Sequence, residues 1–507
     1  AIGRSFEEAI YKAVESLDFP TNYWDICDKD SKPQIFEKLR TPTHERLSAI
    51  KRALALKISQ AEISKVSNIH PWFINKLESM FTHDFESKVI SGYKLVDTCA
   101  GEFLAHTPYY YSTFLGGTKN IISKLKKPKV VIVGSGPIRI GQGIEFDYSC
   151  VHAVLAAKKM GFETVVINNN PETVSTDFSI SDRLYFEPLT AKFVLNILET
   201  EKENLVGVLL LFGGQTALKL SSTIEQAGYP ILGPSMRVID ICEDRLKTAQ
   251  LLKKLNIPYP DGTLTFNKKE LDLAVKKYKY SCLIRPSYVL AGEGMAIIAD
   301  KDSYQEYLKN LQPHLFIKGI FVDEFISQGK EVDVDVVADG ASCYSVLLEQ
   351  LEDAGVHSGD SHCVYPPQNL SKSQTNTIND YTKKIVKELK FVGALNIQMI
   401  CKGDKVFVIE VNPRASRTLP FCSKAVGIPL AKVATGLVLG KKLADFKLIS
   451  TNIQTHIKKP IFSFDKLVGL SHDLGPMMYS TGEVMVSGKD FVDASKKLAY
   501  DYQPISN

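Results

Sequence analysis

One short stretch of the chain combines a hydrophobic strand pattern with side chains that bind metal ions and phosphates. Residues 406–412 are β-branched or aromatic except for Glu410 and Asn412. Side chains two positions apart on a strand lie on the same face, so this carboxylate and this amide point the same way. Such hard oxygen ligands, together with phosphate oxygens, suit Mg²⁺. Arg414 and Arg417 follow and carry fixed charge suited to a phosphoryl group. A strand end with a solvated salt bridge is the simpler alternative, but it accounts for fewer of these residues.

A glycine-rich loop follows another predicted strand. Arg285 closes that strand, and Gly292 and Gly294 come shortly after it. Glycine lets backbone N–H groups approach phosphate oxygens, and the arginine adds fixed positive charge. The loop lacks the G-x-x-x-x-G-K-[ST] pattern of a P-loop, so a plain hairpin stays an alternative.

Two polar segments come next along the chain. Residues 321–326 and 331–335 predict two strands with a short linker, against which an adenine ring would fit with Glu331 on a ribose hydroxyl. An acidic surface hairpin is the alternative. Residues 352–360 carry His357 between two glycines, and a lone satisfied histidine is the simpler reading. Neither a Ser-His-Asp arrangement at nucleophile-elbow spacing nor a Cys-His pair is evident.

The turn after residues 129–133 resembles a dinucleotide-binding loop only in part. Glycines stand at 134, 136, 141 and 143, but Arg139 occupies the place of the third glycine of G-x-G-x-x-G. The sequence therefore predicts a tight strand-to-helix turn rather than an NAD site.

Bulk composition limits the class of protein. The chain has 507 residues, 44% of them hydrophobic, and a net charge of +4, which suits roughly three domains. It lacks the basic stripe interleaved with aromatics that marks a nucleic-acid binder, and the basic run at 124–129 is read as a solvated linker. The nine cysteines show no C-x-x-C spacing, which favours reduced thiols in a cytosol-like compartment. The lack of a long apolar run predicts no membrane span.

The two ends of the chain echo each other. The same residue types recur at the same spacing, as Gly3, Phe6, Ala9 and Lys12 and again as Gly488, Phe491, Ala494 and Lys497. We therefore expect the first residues to be the tail of an upstream copy of the last domain, with coincidence as the alternative. A start at Ala1 without Met points to a fragment in the same way.

Hydrophobic periodicity separates a helical region from an α/β region. Residues 20–120 read as helical, with a helix start at Pro71 and with Trp72 and Phe73 as core residues. After Pro128, strands at 129–133, 164–168 and 205–212 alternate with helices, which predicts a parallel sheet. A mixed α+β region follows from about 245 to 480.

Together, these segments resemble the large subunit of carbamoyl phosphate synthetase, and its C-terminal half in particular. The resemblance covers nearly the whole chain and rests on residues 134–148, 170–176, 186–190, 213–216, 285–289, 354–360 and 410–414, with 96–100, 111–113 and 480–485 in support. It implies an α/β and α+β fold, in which a helical oligomerisation domain precedes an ATP-grasp unit with a Rossmann-like pre-ATP-grasp parallel sheet. The implied domains are an upstream ATP-grasp tail at 1–18, the helical domain at 19–127, the Rossmann-like domain at 128–244, the ATP-grasp domain at 245–490 and a tail helix at 491–507.

The resemblance also implies a reaction, in which ATP phosphorylates carbamate to carbamoyl phosphate with Mg²⁺ or Mn²⁺ and with K⁺ as a further ion. The implied partners are a glutaminase subunit or domain, an upstream ATP-grasp unit, a downstream regulatory domain and further copies of the chain, but neither nucleic acid nor membrane. The expected location is the cytoplasm, with a mitochondrial parent as the alternative. A biotin-carboxylase-like ligase and a catalytically silent oligomerisation module remain alternative functions.

Site residues are carried over from the resemblance position by position. The nucleotide contacts are Arg245, Arg285, Glu324, Ile326, Glu331, Gly355, Val356, His357, Ser358, Gln398 and Glu410. The metal ligands are Gln398, Glu410 and Asn412, the catalytic set is Arg414, Arg285 and Asn412, and an internal carbamate passage takes Glu145, Glu172 and Glu483. One departure is Glu293, since an acidic side chain stands in the glycine-rich loop.

Overall fold

The computed structural model describes residues 1–19, 22–85, 87–99, 101–103, 107–116, 122, 125–139, 143–286, 294–311, 313–450, 452–465 and 472–500. The position of Glu293 lies outside these residues. The fold class predicted from sequence is confirmed, because helices and both parallel and antiparallel sheets are present.

The α-helices follow the chain in this order: α1 Phe6–Glu15, α2 Lys32–Arg40, α3 Arg46–Ala55, α4 Gln60–Ser67, α5 Pro71–Thr82, α6 Glu145–Lys159, α7 Ala191–Thr200, α8 Gly214–Leu218, α9 Ser221–Gln226, α10 Met236–Glu243, α11 Arg245–Lys254, α12 Lys268–Lys277, α13 Lys301–Asn310, α14 Lys372–Leu389, α15 Leu419–Val426, α16 Leu430–Val438 and α17 Phe491–Tyr500.

The strands are β1 Gly92–Leu95, β2 Tyr109–Thr113, β3 Lys129–Val133, β4 Glu163–Asn168, β5 Arg183–Phe186, β6 Leu205–Leu209, β7 Ile231–Leu232, β8 Gly262–Thr265, β9 Cys282–Pro286, β10 Ala296–Ile298, β11 Ile320–Glu324, β12 Lys330–Asp339, β13 Cys343–Gln350, β14 Cys363–Tyr365, β15 Val392–Lys402, β16 Lys405–Asn412, β17 Thr455–Ile461 and β18 Gly482–Gly488.

The predicted parallel sheet is present, with strand order β1-β2-β5-β4-β3-β6-β7. Strand β5 pairs in parallel with both β2 and β4, and β6 pairs in parallel with β7. All five residues of β3 are buried, as expected for a parallel strand covered on both faces.

The chain separates into two compact units, one of Ala1–Val131 and Glu163–Val206 and the other of Ile132–Phe162 and Gly207–Asn507. In the first unit, α1 to α5 pack around buried residues that include Trp24, Ile35, Leu39 and Ile50. The helical prediction for residues 20–120 holds as far as α5 and is wrong beyond it, because β1 and β2 form an antiparallel pair there.

The prediction that Trp72 and Phe73 are core residues is wrong. Their exposed fractions are 47% and 42%. The inner face of α5 is instead formed by Ile74, Leu77 and Met80, which recur at helical spacing, so residues 72 and 73 fall on the outer side of the helix. Both rings pack against Phe6, with centroids 5.3 and 5.4 Å away.

The second unit contains the α+β region. A four-stranded sheet has the order β10-β9-β11-β8, and a seven-stranded sheet has the order β16-β15-β12-β13-β14-β17-β18. The neighbouring strands of both sheets pair antiparallel. Helices α10, α11 and α14 contribute to the buried cluster that covers β12, β15 and β16, which holds the strands that carry Gln398 and Glu410.

The residue pattern shared by the two chain ends also makes the same contacts at both ends. Each glycine lies against the helix that follows it, since an added Cβ would come within 2.6 Å of Ala9 N at Gly3 and within 2.3 Å of Ala494 N at Gly488. Each lysine then donates a hydrogen bond to the carbonyl just before the glycine, Lys12 to Ile2 over 3.1 Å and Lys497 to Ser487 over 2.9 Å. The upstream origin of the first helix stays a prediction.

Candidate active site

A carboxylate and two amides meet on adjacent strands of the larger antiparallel sheet. Gln398 on β15 lies opposite Glu410 on β16, beside a register shift between Gln398 and Met399. Asn412 Nδ2 donates to Glu410 Oε2 over 3.3 Å. Gln398 uses its Nε2 to donate to Ser358 and Asp333, over 3.2 and 3.3 Å, so its Oε1 is the end available to a cation.

This donor set fits a hard divalent ion. It offers one carboxylate and two amide oxygens, the ligand type that Mg²⁺ and Mn²⁺ take. Within the described ranges, no cluster of three or more His, Cys, Asp or Glu side chains is placed to hold a metal. Mg²⁺ commonly completes such a set of one carboxylate and a few neutral oxygens with phosphate oxygens of a ligand.

Arginines from three different elements surround the carboxylate. Arg245 begins α11, and its Nη atoms lie 3.3 Å from Asp323 Oδ2 and 3.5 Å from Glu410 Oε1. Arg285 ends β9, and its Nε lies 3.2 Å from Asp323 Oδ2 but is not aligned for a hydrogen bond. Arg414 leaves the end of β16. This arrangement concentrates positive charge around Glu410 and Asp323.

These positive charges determine the protonation state of Glu410. Partial desolvation inside the cavity acts to raise the pKa of Glu410, but Arg245, Arg285, the Asn412 amide and Arg414 outweigh it and hold that pKa below its ordinary value. Burial and the neighbouring Arg245 lower the pKa of Arg285. Glu410 is therefore ionised at neutral pH, as a metal ligand must be.

The loop between β13 and β14 contacts strands β12 and β15 of the same sheet. Its Gly355 N donates to Glu331 Oε1 over 3.0 Å, and burial followed by the repulsion of Asp333 raises the pKa of Glu331 to about 7. His357 Nδ1 accepts from Gly359 N over 3.0 Å. Burial lowers the pKa of His357 to about 4, so this imidazole is neutral at physiological pH.

A cavity of about 490 Å³ unites these residues. Each position that the sequence assigned to nucleotide, metal or catalysis lines it, namely Arg245, Arg285, Glu324, Ile326, Glu331, Gly355, Val356, His357, Ser358, Gln398, Glu410, Asn412 and Arg414. The walls also include Leu283, Met295, Phe321 and Phe325. A volume of this size with apolar walls and a few convergent charges is typical of a small-molecule site.

The passage residues are distributed differently. Glu145 at the start of α6 binds Arg417 through both carboxylate oxygens, over 3.0 and 3.2 Å. Burial raises the pKa of Glu483 on β18, while Lys458 opposes this shift and Glu145 adds to it. Glu172 is an exposed residue of the first unit. The passage therefore stays a prediction.

Sequence reasoning missed several polar residues of the site. Asp323 binds both Arg245 and Arg285, and Asp333 holds the Gln398 amide. Buried Lys458 donates to Ser358 O over 3.1 Å. Asp323 and Asp333 were visible as carboxylates within apolar strands, a costly placement that signals a partner, whereas Lys458 had no such context.

Comparisons with known proteins bear on the whole arrangement. Residues 1–98 match a profile described as the carbamoyl-phosphate synthetase large chain oligomerisation domain. Residues 126–241 match the carbamoyl phosphate synthase preATP-grasp domain, and residues 244–446 match the carbamoyl-phosphate synthase L chain ATP binding domain. The chain belongs to the carbamoyl phosphate synthase large-chain family.

Relatives from two archaea agree with this membership. The carbamoyl phosphate synthase large chain of Archaeoglobus fulgidus is 42% identical over 546 residues, which cover 97% of this chain and 50% of the relative. The large chain of Methanosarcina mazei is 41% identical with the same coverage. The chain thus spans about half the length of these curated relatives.

Solved structures share the fold at low sequence identity. The biotin carboxylase domain of Hydrogenobacter thermophilus 2-oxoglutarate carboxylase is 17% identical, with a TM-score of 0.57 over 75% of this chain and 91% of that one. Thermotoga maritima N5-carboxyaminoimidazole ribonucleotide synthetase is 16% identical, with a TM-score of 0.52 over 74% of this chain and 97% of that one. At such identities the likeness concerns the fold alone.

Among the residues that the structure describes, no single helix is long and apolar enough to cross a membrane. Helices α15 and α16, bent by 109° relative to each other, reach that length and apolar composition only as a pair.

Proposed function

We propose that this chain phosphorylates carbamate with ATP to give carbamoyl phosphate and ADP. The observation that carries the proposal is the cavity in which Glu410, Gln398 and Asn412 lie beside Arg245, Arg285 and Arg414. This is the combination that phosphoryl transfer requires, with oxygen ligands for a cation and fixed positive charge for phosphate oxygens. Membership in the large-chain family supports the same reaction.

The reaction needs little from the protein besides position and charge. A carbamate oxygen, already anionic, attacks the γ-phosphorus, so that one P–O bond forms while the bond to the β-phosphate oxygen breaks and ADP leaves. No general base is required, which agrees with a neutral His357. Mg²⁺ held by Gln398, Glu410 and Asn412 would neutralise negative charge on the phosphate oxygens.

The protein groups divide the remaining work. Arg245 and Arg285 would bind phosphate oxygens, for which planar guanidinium groups are suited. Glu331 and the Glu324–Ile326 linker would receive the nucleoside, against the apolar side of the cavity. Arg414 would hold the anionic carbamate in line with the γ-phosphate, a placement that can contribute several orders of magnitude in rate.

The finer assignments belong to the same proposal. Mn²⁺ would substitute for Mg²⁺ at Gln398, Glu410 and Asn412, and K⁺ would be a further ion. A glutaminase subunit or domain, an upstream ATP-grasp unit and a downstream regulatory domain would complete the enzyme. The match of residues 1–98 to an oligomerisation domain supports self-association. We propose the cytoplasm as the location.

The reverse reaction tests the proposal most simply. Wild-type protein given carbamoyl phosphate and MgADP is expected to form ATP, measured by a luciferase assay. A second arm supplies ATP, bicarbonate and free biotin. ATP hydrolysis that depends on biotin, without ATP formation in the first arm, would favour the biotin-carboxylase-like alternative. Failure to bind MgADP would favour the silent oligomerisation module.

A further inference from the structure

Arg414 is held by the protein through only part of its guanidinium group. An arginine has five N–H donors. The Nε of Arg414 donates to Gln215 Oε1 over 3.1 Å, and Nη1 donates to Ala415 O over 3.1 Å. Its charged group also lies 5.8 Å from the centre of the Phe146 ring. The orientation of the group is therefore fixed at one edge and one face, while the residue lines the cavity.

Gln215 reaches Arg414 because two glycines precede it. An added Cβ on Gly213 would lie 2.5 Å from the carbonyl oxygens of Val133 and Gly134, so only glycine lets the chain come this close to the end of β3. Gly214 has a φ of +63° and faces the Phe146 ring. The turn brings the start of α8 to the cavity.

The other end of the Gln215 side chain is anchored as well. Its Nε2 donates to Glu243 Oε2 over 2.5 Å. Since an amide has one oxygen and one nitrogen end, this bond forces the oxygen toward Arg414. Glu243 ends α10, and the next residue, Asp244, caps α11 by accepting from Leu246 N over 2.9 Å.

We infer that Gln215 and Glu243 are positioning residues, which hold the Arg414 guanidinium for the anionic substrate. The inference rests on the proposed function, because it concerns the carbamate or carbamoyl phosphate that Arg414 would contact. The relay is directional: the Glu243 carboxylate accepts from the Gln215 amide, and that amide accepts from Arg414. Both side chains line the cavity with Arg414, but among the residues that the structure describes neither forms a hydrogen bond with a residue assigned to the nucleotide.

The hydrogen bonds from Arg414 to Gln215 and from Gln215 to Glu243 predict different effects on the binding of carbamoyl phosphate and of MgADP. Loss of the Gln215 acceptor leaves the Arg414 charge in place but no longer fixes the orientation of its guanidinium group. Binding of the small anion should therefore weaken, while binding of the nucleotide should not change. In Gln215→Leu we expect the KM for carbamoyl phosphate to rise roughly ten-fold and kcat to fall, as the loss of a hydrogen bond to a charged group implies. The Kd for MgADP is expected to stay at the wild-type value. Gln226→Leu, an exposed glutamine of α9, is the matched control and should change neither.

Exchange of the two partners distinguishes positioning from a structural role. Gln215→Glu alone sets two carboxylates against each other and should impair the reaction. Adding Glu243→Gln restores a donor to that carboxylate, which still accepts from Arg414, so the double variant should recover to within a few-fold of wild type. A double variant no better than the single one would overturn the inference, as would a Gln215→Leu variant with unchanged KM and kcat or with an equal loss of MgADP affinity.

Calorimetric binding of carbamoyl phosphate in the presence of MgADP separates the two proposals. Binding by wild type that weakens in Gln215→Leu supports the positioning role even if no ATP forms, in which case the proposed function alone fails. Wild-type protein that does not bind carbamoyl phosphate would overturn the positioning role as well.

Discussion

Two clusters of charged side chains, one in each unit, differ in how completely the protein satisfies them. In the first unit, Glu201 accepts from Lys129 over 2.6 Å, from Tyr185 over 2.5 Å and from Arg183. The side chains of Lys129, Arg183 and Glu201 are 4%, 3% and 1% exposed. In the second unit, the Arg245 and Glu410 side chains are 28% and 39% exposed and lie 3.5 Å apart. The first cluster is closed to water, and the second opens into a cavity.

This difference separates a structural role from a binding role. Buried charges whose hydrogen bonds are all made within the protein leave no site for a ligand, and removing one member leaves its partners buried without that contact, at a high cost. Charges that share long contacts at a cavity wall can exchange them for a ligand at little cost. We therefore expect substitutions in the first cluster to reduce stability and substitutions in the second to reduce binding.

The largest expected effect on stability follows from Glu201→Gln. The change removes the carboxylate that pairs with buried Lys129 and Arg183, which typically lowers the free energy of unfolding by about 3–5 kcal/mol. Urea denaturation would measure the loss, and calorimetry should find MgADP affinity unchanged. Glu199→Gln is the control, because Glu199 and its partner Lys202 are 60% and 61% exposed and such pairs contribute under about 1 kcal/mol. Weaker MgADP binding with intact stability would contradict the structural role.

The reverse pattern is expected in the second cluster. Arg245→Met removes a charged donor from the proposed phosphate site, so MgADP affinity should fall by about 1.5–3 kcal/mol, as for other hydrogen bonds to charged groups, with little change in urea stability. Lys247→Met, on the same helix and paired with Asp240 over 2.6 Å, should bind MgADP like wild type. A destabilised Arg245→Met that retains its affinity would remove the distinction between the clusters.

A smaller effect concerns pH. Since the pKa of Glu331 is raised to about 7 in the folded protein from 4.5, folding favours its protonated form. Its contribution to stability is complete below the unfolded pKa and is lost as pH rises through about 7. We expect the difference in urea midpoint between wild type and Glu331→Gln to change across this window. A difference independent of pH would contradict the raised pKa.

The smallest effect on stability is expected at Lys497, which corresponds to Lys12 in the pattern shared by the two chain ends. Lys497 is 51% exposed and lies 3.0 Å from Asp493, so Lys497→Met should cost under about 1 kcal/mol. Lys12 in the equivalent position is fully buried, 3.0 Å from Glu187, and Lys12→Met should cost about as much as Glu201→Gln. Differential scanning calorimetry of both variants compares the same lysine-to-carbonyl contact in buried and in exposed surroundings. Equal losses of stability would contradict the claim that burial determines the cost of removing a charge.

The sequence predicted the open cluster better than the closed one. Glu410 and Asn412 stand two apart on one strand, so the strand period alone placed them together. Arg414 follows in the same stretch and Arg285 stands before the glycine-rich loop, so local patterns found both. The family resemblance added Arg245 and joined the three arginines into one site, because no local pattern joins positions so distant in the chain. The Glu201 cluster had no sequence signal, since Lys129, Arg183 and Glu201 belong to separate elements and each is unremarkable by itself.

The errors have equally local causes. Trp72 and Phe73 were placed in the core on hydrophobicity, but the spacing of Ile74, Leu77 and Met80 decides which face of α5 is buried. Strands β1 and β2 were missed because they are short and lie within a region of helical periodicity. Pairing with another strand, rather than local propensity, determines such segments.

The most direct test of the account is ATP formation from carbamoyl phosphate and MgADP by wild type, Glu410→Gln and Glu388→Gln. The exposed Glu388, paired with Lys254, serves as the matched control. Glu410→Gln should retain wild-type stability but lose on the order of 10²-fold in rate, as expected for removal of one electrostatic stabiliser, while Glu388→Gln stays active. A Glu410→Gln variant that forms ATP at the wild-type rate would contradict the claim that the open cluster is the site of phosphoryl transfer.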